Sequence, residues 1–179
     1  MPKNKMIVRY LSPLLRIKRL RLSRETNISQ ERIVNNRVLL PIINARVAKC
    51  AAAGFDAVDF DNVDGYTNDT GFPLTAAQQL TFNEDLAGIG HSYGLSVGLK
   101  NDLGQLNQLE STFDFAVNEQ CAQFNECDAY DGWTAAGKAV VEIEYHAKQA
   151  RYCPSAQLHR RDAIQKSVAL RAKPWKPCH

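Results

Sequence analysis

The chain has 179 residues, 45% of them hydrophobic, and a formal net charge of +3 at pH 7. This length suits one globular domain and excludes two large ones. No apolar run approaches the roughly 18 residues of a membrane-spanning helix, and a charged fraction of 23% excludes a low-complexity or collagen-like chain.

The charge is unevenly distributed along the chain. Residues 1–32 carry a net charge of +7, whereas residues 55–145 carry 16 acids and only Lys100 and Lys138, for a net −14. A field of that sign attracts cations and repels phosphate, so we expect no nucleic-acid partner for this middle segment. Residues 1–32 show no clean period and no uninterrupted apolar stretch of a signal peptide. We therefore predict a basic arm there, followed by one domain over residues 33–179.

The five cysteines include no Cys-x-x-Cys pair, and no histidine lies at zinc-finger spacing, so we expect no structural metal. Cys121 and Cys127 are six residues apart, which favours a small disulfide-closed loop and an oxidising compartment over two reduced thiols. Cys153 and Cys178 could form a second bridge. Cys50 would then have no partner.

The first predicted elements follow one another closely. From Ile33 the apolar residues recur at helical steps, and the helix ends at Gly54. Residues 55–61 alternate as a strand does, and a loop follows over residues 62–73. A capping box that begins at Thr75 opens a second helix.

The later elements repeat this alternation of strand and helix. We predict strands over 95–100, 113–117 and 139–145, short helices through Leu103–Leu109 and around Trp133, and a weaker strand or turn over 163–168.

Alternating strands and helices with short connections predict a parallel sheet with crossover helices. Each strand is apolar first and polar at its C-terminal end, which is the edge where (β/α) barrels build their active sites. The 147 residues from position 33 onward are too few for eight units. The predicted fold is therefore α/β, the C-terminal part of a (β/α)8 TIM barrel with about five βα units. An open doubly wound sheet is the alternative, but its glycine-rich fingerprint is missing.

Three long runs carry a family resemblance: residues 54–74 (GFDAVDFDNVDGYTNDTGFPL), 94–102 (GLSVGLKND) and 113–121 (FDFAVNEQC). They closely resemble glycoside hydrolase family 114, the endo-α-1,4-polygalactosaminidases, over about Val38 to Cys178. The resemblance implies a (β/α)8 barrel, an extracellular location and no cofactor. The four clear strands match the fourth to seventh of the family, and the first three have no counterpart.

The resemblance also implies one carboxylate at the end of the fourth strand and one at the end of the sixth. Asp61 and Glu119 match these places, and hydrolysis of a glycosidic bond needs two such groups. We assign Asp61 as nucleophile and Glu119 as general acid/base, although the roles could be reversed. Ordinary acids at strand ends are the alternative. The residues expected to line the substrate cleft are Asp59, Asn62, Asp64, Tyr66, Lys100, Asn101, Asp102, Asn118, Gln120, Glu144 and Tyr145.

The resemblance implies a galactosamine-containing polysaccharide with α-1,4 linkages as substrate and partner. The acidic middle segment favours this polymer over a neutral α-galactoside, because it attracts the amines. An α-galactosidase-type glycosidase and a truncated, non-catalytic barrel fragment are the alternatives. At a strand end among acids, Lys100 is expected to pair with Asp61 or Asp102 rather than act as a Schiff-base lysine.

Overall fold

A computed structural model describes residues 38–169 and 171–178 of the chain. The predicted basic arm over residues 1–32 lies outside the described residues, and the domain boundary at residue 33 stays a prediction. The chain divides into two compact units between Val97 and Gly98. In the described part, no helix combines the length and the hydropathy needed to cross a membrane.

Among the described residues, the first unit contains two helices, one complete strand and the beginning of a second strand. Thr75 and Gln78 make both hydrogen bonds of the predicted capping box at the start of the second helix. The bounds are Leu39–Ala52 for α1, Ala57–Phe60 for β1, a 3-10 turn at Gly65–Thr67, and Ala76–Ser92 for α2.

Two close approaches shape this unit. The Ser96 N–H donates to the carbonyl of Asp56 at 3.0 Å, which places the start of β2 beside β1. A Cβ on Gly90 would lie 2.3 Å from Cγ2 of Val97, so only glycine lets α2 pack this closely on the strand. Val47 of α1 is fully buried.

The second unit is built around parallel strands. Strands β2 to β5 pair in chain order and in parallel, and β6 pairs with β5 in the antiparallel direction. The strands are β2 Ser96–Lys100, β3 Phe115–Glu119, β4 Ala139–Glu144, β5 Asp162–Gln165 and β6 Lys176–Pro177. The helices are α3 Leu106–Leu109, α4 Cys121–Phe124, α5 Asp131–Ala135 and α6 Gln149–Leu158.

The predicted fold class is confirmed: the described residues form a mixed α/β fold with a mostly parallel sheet of six strands. Among the described residues the sheet does not close, since β1 and β6 are its two ends. Strand β3 begins two residues later than predicted. The N–H of Phe113 instead donates to the carbonyl of Leu109 and closes the turn after α3.

Helix α6 and strand β6 were not predicted. Pro154 lies inside α6, where proline is normally disfavoured. Strand β6 is only two residues long and contains a proline. Neither element carries a periodic pattern, so both depend on tertiary packing.

Both expected disulfides are present, Cys121–Cys127 and Cys153–Cys178, and Cys50 is a free thiol within the described residues. The first bridge closes the loop that follows β3. The second ties α6 to the end of β6, which explains how a two-residue strand remains in place.

A buried ion pair connects β4 to the helices that cover it. Nε of Arg161 lies 3.1 Å from Oε2 of Glu142, and both side chains are at most 1% exposed. The guanidinium also donates to Asp131 at 3.3 Å and to the hydroxyl of Ser155 at 2.9 Å. Burial of a carboxylate requires such compensation.

Replacing Arg161 by Met should lower the free energy of unfolding by about 3–5 kcal/mol, because the change leaves the Glu142 charge buried and unpaired. Urea denaturation at pH 7 measures this loss. The double variant Arg161→Met with Glu142→Leu should recover most of it. A single variant as stable as the unsubstituted chain would contradict this account.

Candidate functional site

In the first unit, the predicted acids lie at the end of β1. Asp59 is a buried residue of the strand, and Asp61 is partly buried directly after it. Asn62 turns the chain with a φ of 59° and is exposed. A carboxylate just past a strand end is oriented by the strand and still reached by solvent.

The loop after Asp61 is fixed by side chains of α2. The Nδ2 of Asn83 donates to the carbonyl of Val63 at 3.0 Å, and the Oδ1 of Asn83 accepts from Gln79 at 2.9 Å. Asn83 and Val63 are buried. The loop segment that carries Asp64 and Tyr66, both partly buried, is therefore held against the helix.

In the second unit, Glu119 is the last residue of β3 and its carboxylate is held on both oxygens. Nζ of Lys100, at the end of β2, lies 2.9 Å from Oε2 of Glu119. The hydroxyl of Tyr145, directly after β4, donates to Oε1. The Glu119 side chain remains 21% exposed, whereas that of Lys100 is 2% exposed. Three neighbouring strand ends thus converge on one carboxylate.

Asn101 fixes the backbone of Glu119. Its Oδ1 accepts from the Glu119 N–H at 2.9 Å, and its own N–H donates to the carbonyl of Val117 at 2.8 Å. Asn101 and Asp102 have φ values of 51° and 49°, a conformation that asparagine and aspartate tolerate better than most residues. Asp102 is 2% exposed.

Tyr130 connects the ends of β2 and β3. Its hydroxyl donates to the carbonyl of Asn101 at 3.3 Å and accepts from Nδ2 of Asn118 at 3.0 Å. Asn118 and Tyr130 are at most 1% exposed. The sequence prediction missed Tyr130, because a lone tyrosine next to a disulfide loop carries no spacing signal.

Glu144 is fully buried, and its Oε1 accepts from the N–H of Ala122 at 2.8 Å. This hydrogen bond caps α4, which begins two residues after Glu119. Gln120, between them, has a φ of 72° and donates from its side chain to Gln123 at 2.9 Å. The cleft-lining role predicted for Glu144 and Gln120 stays a prediction, and their observed contacts stabilise the turn after β3.

The predicted residues fall into two sets. Asp59, Asp61, Asn62, Asp64 and Tyr66 lie in the first unit, and Lys100, Asn101, Asp102, Asn118, Glu119, Gln120, Glu144 and Tyr145 lie in the second. Lys100 was predicted to pair with Asp61 or Asp102, and the ion pair that the structure shows is with Glu119 instead. The Glu119 carboxylate therefore has a donor on each oxygen and keeps part of its surface open.

One further group of side chains has the composition of a metal site. Ligand atoms of Asp128, Asp131 and His159 lie within 4.8 Å of one another. The Oδ1 of Asp131, however, is 2.8 Å from Nδ1 of His159 and 3.3 Å from Nη1 of Arg161. A guanidinium this close disfavours a cation, so these residues form an ion-pair cluster.

Replacing Glu144 by Gln should flatten the dependence of stability on pH. Burial raises the pKa of Glu144 above 4.5, the Ala122 N–H opposes this, and the charge of Glu142 adds to it. Its contribution to the free energy of unfolding is then complete below about pH 4.5 and is lost as pH rises through the raised pKa. The amide oxygen keeps the bond to Ala122, so the variant should gain relative stability from pH 5 to pH 8 in urea titrations.

The exposed Glu84→Gln change serves as the control for this experiment and should leave the pH dependence unaltered. Parallel stability curves for the Glu144 variant and the unsubstituted chain would show that the Glu144 carboxyl does not titrate in this way.

Comparison with solved structures gives two informative matches. Aspergillus fumigatus Ega3, crystallised in complex with galactosamine, is 33% identical, with a TM-score of 0.71 over 76% of this chain and 60% of that chain. The glycoside hydrolase domain of PelA from Pseudomonas aeruginosa is 14% identical, with a TM-score of 0.54 over 76% of this chain and 63% of that chain, and shows a similar fold. This chain therefore spans less than two thirds of either structure.

No curated protein matches the chain. The sequence model of the glycoside hydrolase family GH114, however, matches residues 23–175, which is most of the chain. The resemblance in the three sequence runs is thereby confirmed, and the chain belongs to glycoside hydrolase family GH114.

Proposed function

We propose that this protein is a glycosidase that cleaves α-1,4 linkages in galactosamine-containing polysaccharide, with Asp61 as nucleophile and Glu119 as general acid/base. The observation that carries the proposal is the arrangement around Glu119: a partly exposed carboxylate at a strand end, held by Lys100 and Tyr145. Membership of GH114 supplies the reaction class.

The proposed reaction has two steps. A carboxylate oxygen of Asp61 attacks the anomeric carbon while Glu119 gives its proton to the departing glycosidic oxygen, which leaves as an alcohol. Glu119, now ionised, then removes a proton from water. That water attacks the anomeric carbon, breaks its bond to Asp61 and releases the sugar with its original configuration.

The geometry of Glu119 bears on both steps. The ammonium of Lys100 and the phenol of Tyr145 stabilise the ionised carboxyl group. This suits the base of the second step, and it means that the protonated acid of the first step should be favoured only toward acidic pH. Acidic pH also keeps the amines of galactosamine cationic, and an acidic segment attracts this form of the substrate.

Charge supports a galactosamine polymer over a neutral galactoside. Residues 55–145, which carry Asp61 and Glu119, have a net charge of −14 and attract a polycation. Ega3, which is 33% identical to this chain, was crystallised with galactosamine. A neutral α-galactoside, the substrate of an α-galactosidase, would gain nothing from this negative charge.

We place this activity outside the cell. The disulfides Cys121–Cys127 and Cys153–Cys178 form in oxidising compartments. The first of them closes the loop directly after Glu119, so reduction would loosen a segment of the proposed active site.

The proposal predicts release of reducing ends from partially deacetylated α-1,4-galactosaminan by the purified chain. Asp61→Asn and Glu119→Gln should each lower the rate about 100-fold or more, because each removes a group needed in the transition state. Asp128→Asn, an exposed acid outside the proposed site, is the matched control and should keep full activity.

Cooperative thermal melts establish that each variant is folded. A folded but inactive parent chain would contradict the proposal and favour a non-catalytic barrel fragment. Faster cleavage of a neutral α-galactoside than of galactosaminan would favour the α-galactosidase alternative.

The pH profile tests the role of Glu119 separately. In Lys100→Met, the basic limb of kcat/KM should move to higher pH, because the ammonium 2.9 Å away no longer favours the ionised form. Tyr145→Phe removes a hydrogen bond to the same carboxylate and should move the limb in the same direction. Basic limbs that coincide with that of the unsubstituted chain in both variants would exclude Glu119 as the proton donor.

A further inference from the structure

Trp175 lies at the same edge of the second unit as Glu119. Strand β6 begins one residue later, and its first residue, Lys176, pairs with Gln165 at the C-terminal end of β5. Because β3, β4 and β5 are parallel, the ends that carry Glu119, Tyr145 and Gln165 share one edge of the sheet. Trp175, which precedes β6, therefore lies next to the C-terminal end of β5 at this edge.

The ring is exposed and held in place. Trp175 is 68% exposed, and Nζ of Lys166 lies 5.3 Å from the centre of its ring. That ammonium also donates to the carbonyls of Arg171 at 2.7 Å and Ala172 at 3.2 Å. The lysine therefore braces the ring against the loop that leads to it.

The chain on the other side of Trp175 is equally constrained. The side-chain amide of Gln149 donates to the carbonyls of Lys176 and Pro177, each at 3.2 Å. The Cys153–Cys178 disulfide ties the same segment to α6. A single exposed apolar side chain needs no explanation, but a large aromatic ring that contacts Lys166 and lies on a fixed backbone segment is pre-organised to bind a ligand.

The contrast with Trp133 is informative. That ring is 1% exposed, and its Nε1 donates to the carbonyl of Leu106 at 3.3 Å, so it fills the core. Trp175 has no such packing role, because most of its surface faces solvent.

The surroundings of Trp175 select against a cation. Lys166, Arg171, Lys173 and Lys176 surround it in sequence, and no acid follows Asp162 in the chain. The free amine of galactosamine is repelled by this cluster, whereas an uncharged pyranose ring can place its C–H face on the indole.

We propose that Trp175 is a stacking platform for an uncharged sugar of the polymer, N-acetylgalactosamine or galactose, at a subsite away from the cleavage point. The inference rests on the proposed function for the identity of the polymer. Neighbouring strands lie about 4.8 Å apart, so β3 and β6 are separated by three spacings, about 14 Å. Only a chain of several sugars reaches both Glu119 and Trp175, and the platform therefore distinguishes polymer from short fragments.

The test compares binding of N-acetylated α-1,4-galactosaminan with binding of the same polymer after full deacetylation. Titrations use the full chain with Glu119→Gln, which prevents degradation during the measurement. Trp175→Ala should weaken binding of the acetylated polymer roughly tenfold, and Trp175→Phe less, since it keeps an aromatic ring. The loss on the deacetylated polymer should be smaller.

Leu158→Ala is the matched control: Leu158 is 79% exposed but ends α6, before β5 begins, at the opposite edge of the parallel strands. It should bind as the parent does. Tryptophan emission gives a second readout, because sugar bound on Trp175 should shift the emission to shorter wavelength, and Trp175→Phe should abolish the shift.

Equal affinities of Trp175→Ala and the parent for the acetylated polymer would overturn the proposed platform. The same holds if Trp175→Ala loses equal affinity for both polymers, or if the parent binds neither polymer. These outcomes are separable from the proposed function. A folded parent chain that binds the acetylated polymer but releases no reducing ends from galactosaminan would refute the catalytic assignment and leave the binding result standing.

Discussion

The ion pair between Lys100 and Glu119 is the interaction on which the candidate site depends. It joins the ends of two neighbouring parallel strands at 2.9 Å, and Lys100 is almost completely buried while Glu119 is not. A buried ammonium needs a compensating charge, so Glu119 cannot be exchanged freely for a neutral residue. Asn101 and Tyr145 add hydrogen bonds to the same glutamate, one to its backbone and one to its side chain. The result is a carboxylate whose position is fixed before any ligand arrives.

The Glu119 carboxylate differs in its environment from two carboxylates on the adjacent strand β4. Glu142 and Glu144 of β4 are fully buried, and desolvation raises the pKa of each. One is compensated by Arg161 and the other caps α4, so both serve the fold. They also influence Tyr152, whose pKa rises to about 12 through burial and through the charges of these two glutamates. These identical side chains thus differ in environment, because Glu119 remains partly exposed whereas Glu142 and Glu144 are fully buried.

Much of this arrangement could be predicted from the sequence, for physical reasons that differ by element. The capping box at Thr75 and the polar strand ends are local signals, and both were read correctly. The disulfides followed from cysteine spacing and count. The ion pair of Arg161 was not predicted, because its partner Glu142 is 19 residues away in the sequence and such a pair leaves no local pattern. Helix α6 escaped prediction for a similar reason: its stability comes from packing on β5 and from a disulfide, whereas its own sequence includes Pro154.

The most direct test of the central claim, that Glu119 is the acid/base partner of Asp61, is azide rescue of Glu119→Ala. The substrate would be an aryl glycoside of an α-1,4-galactosamine oligomer, whose leaving group departs without a proton donor. Azide should then displace Asp61 from the anomeric carbon, restore turnover and yield a glycosyl azide with the configuration of the substrate. Absence of rescue in a folded variant, or a product of inverted configuration, would contradict the assignment.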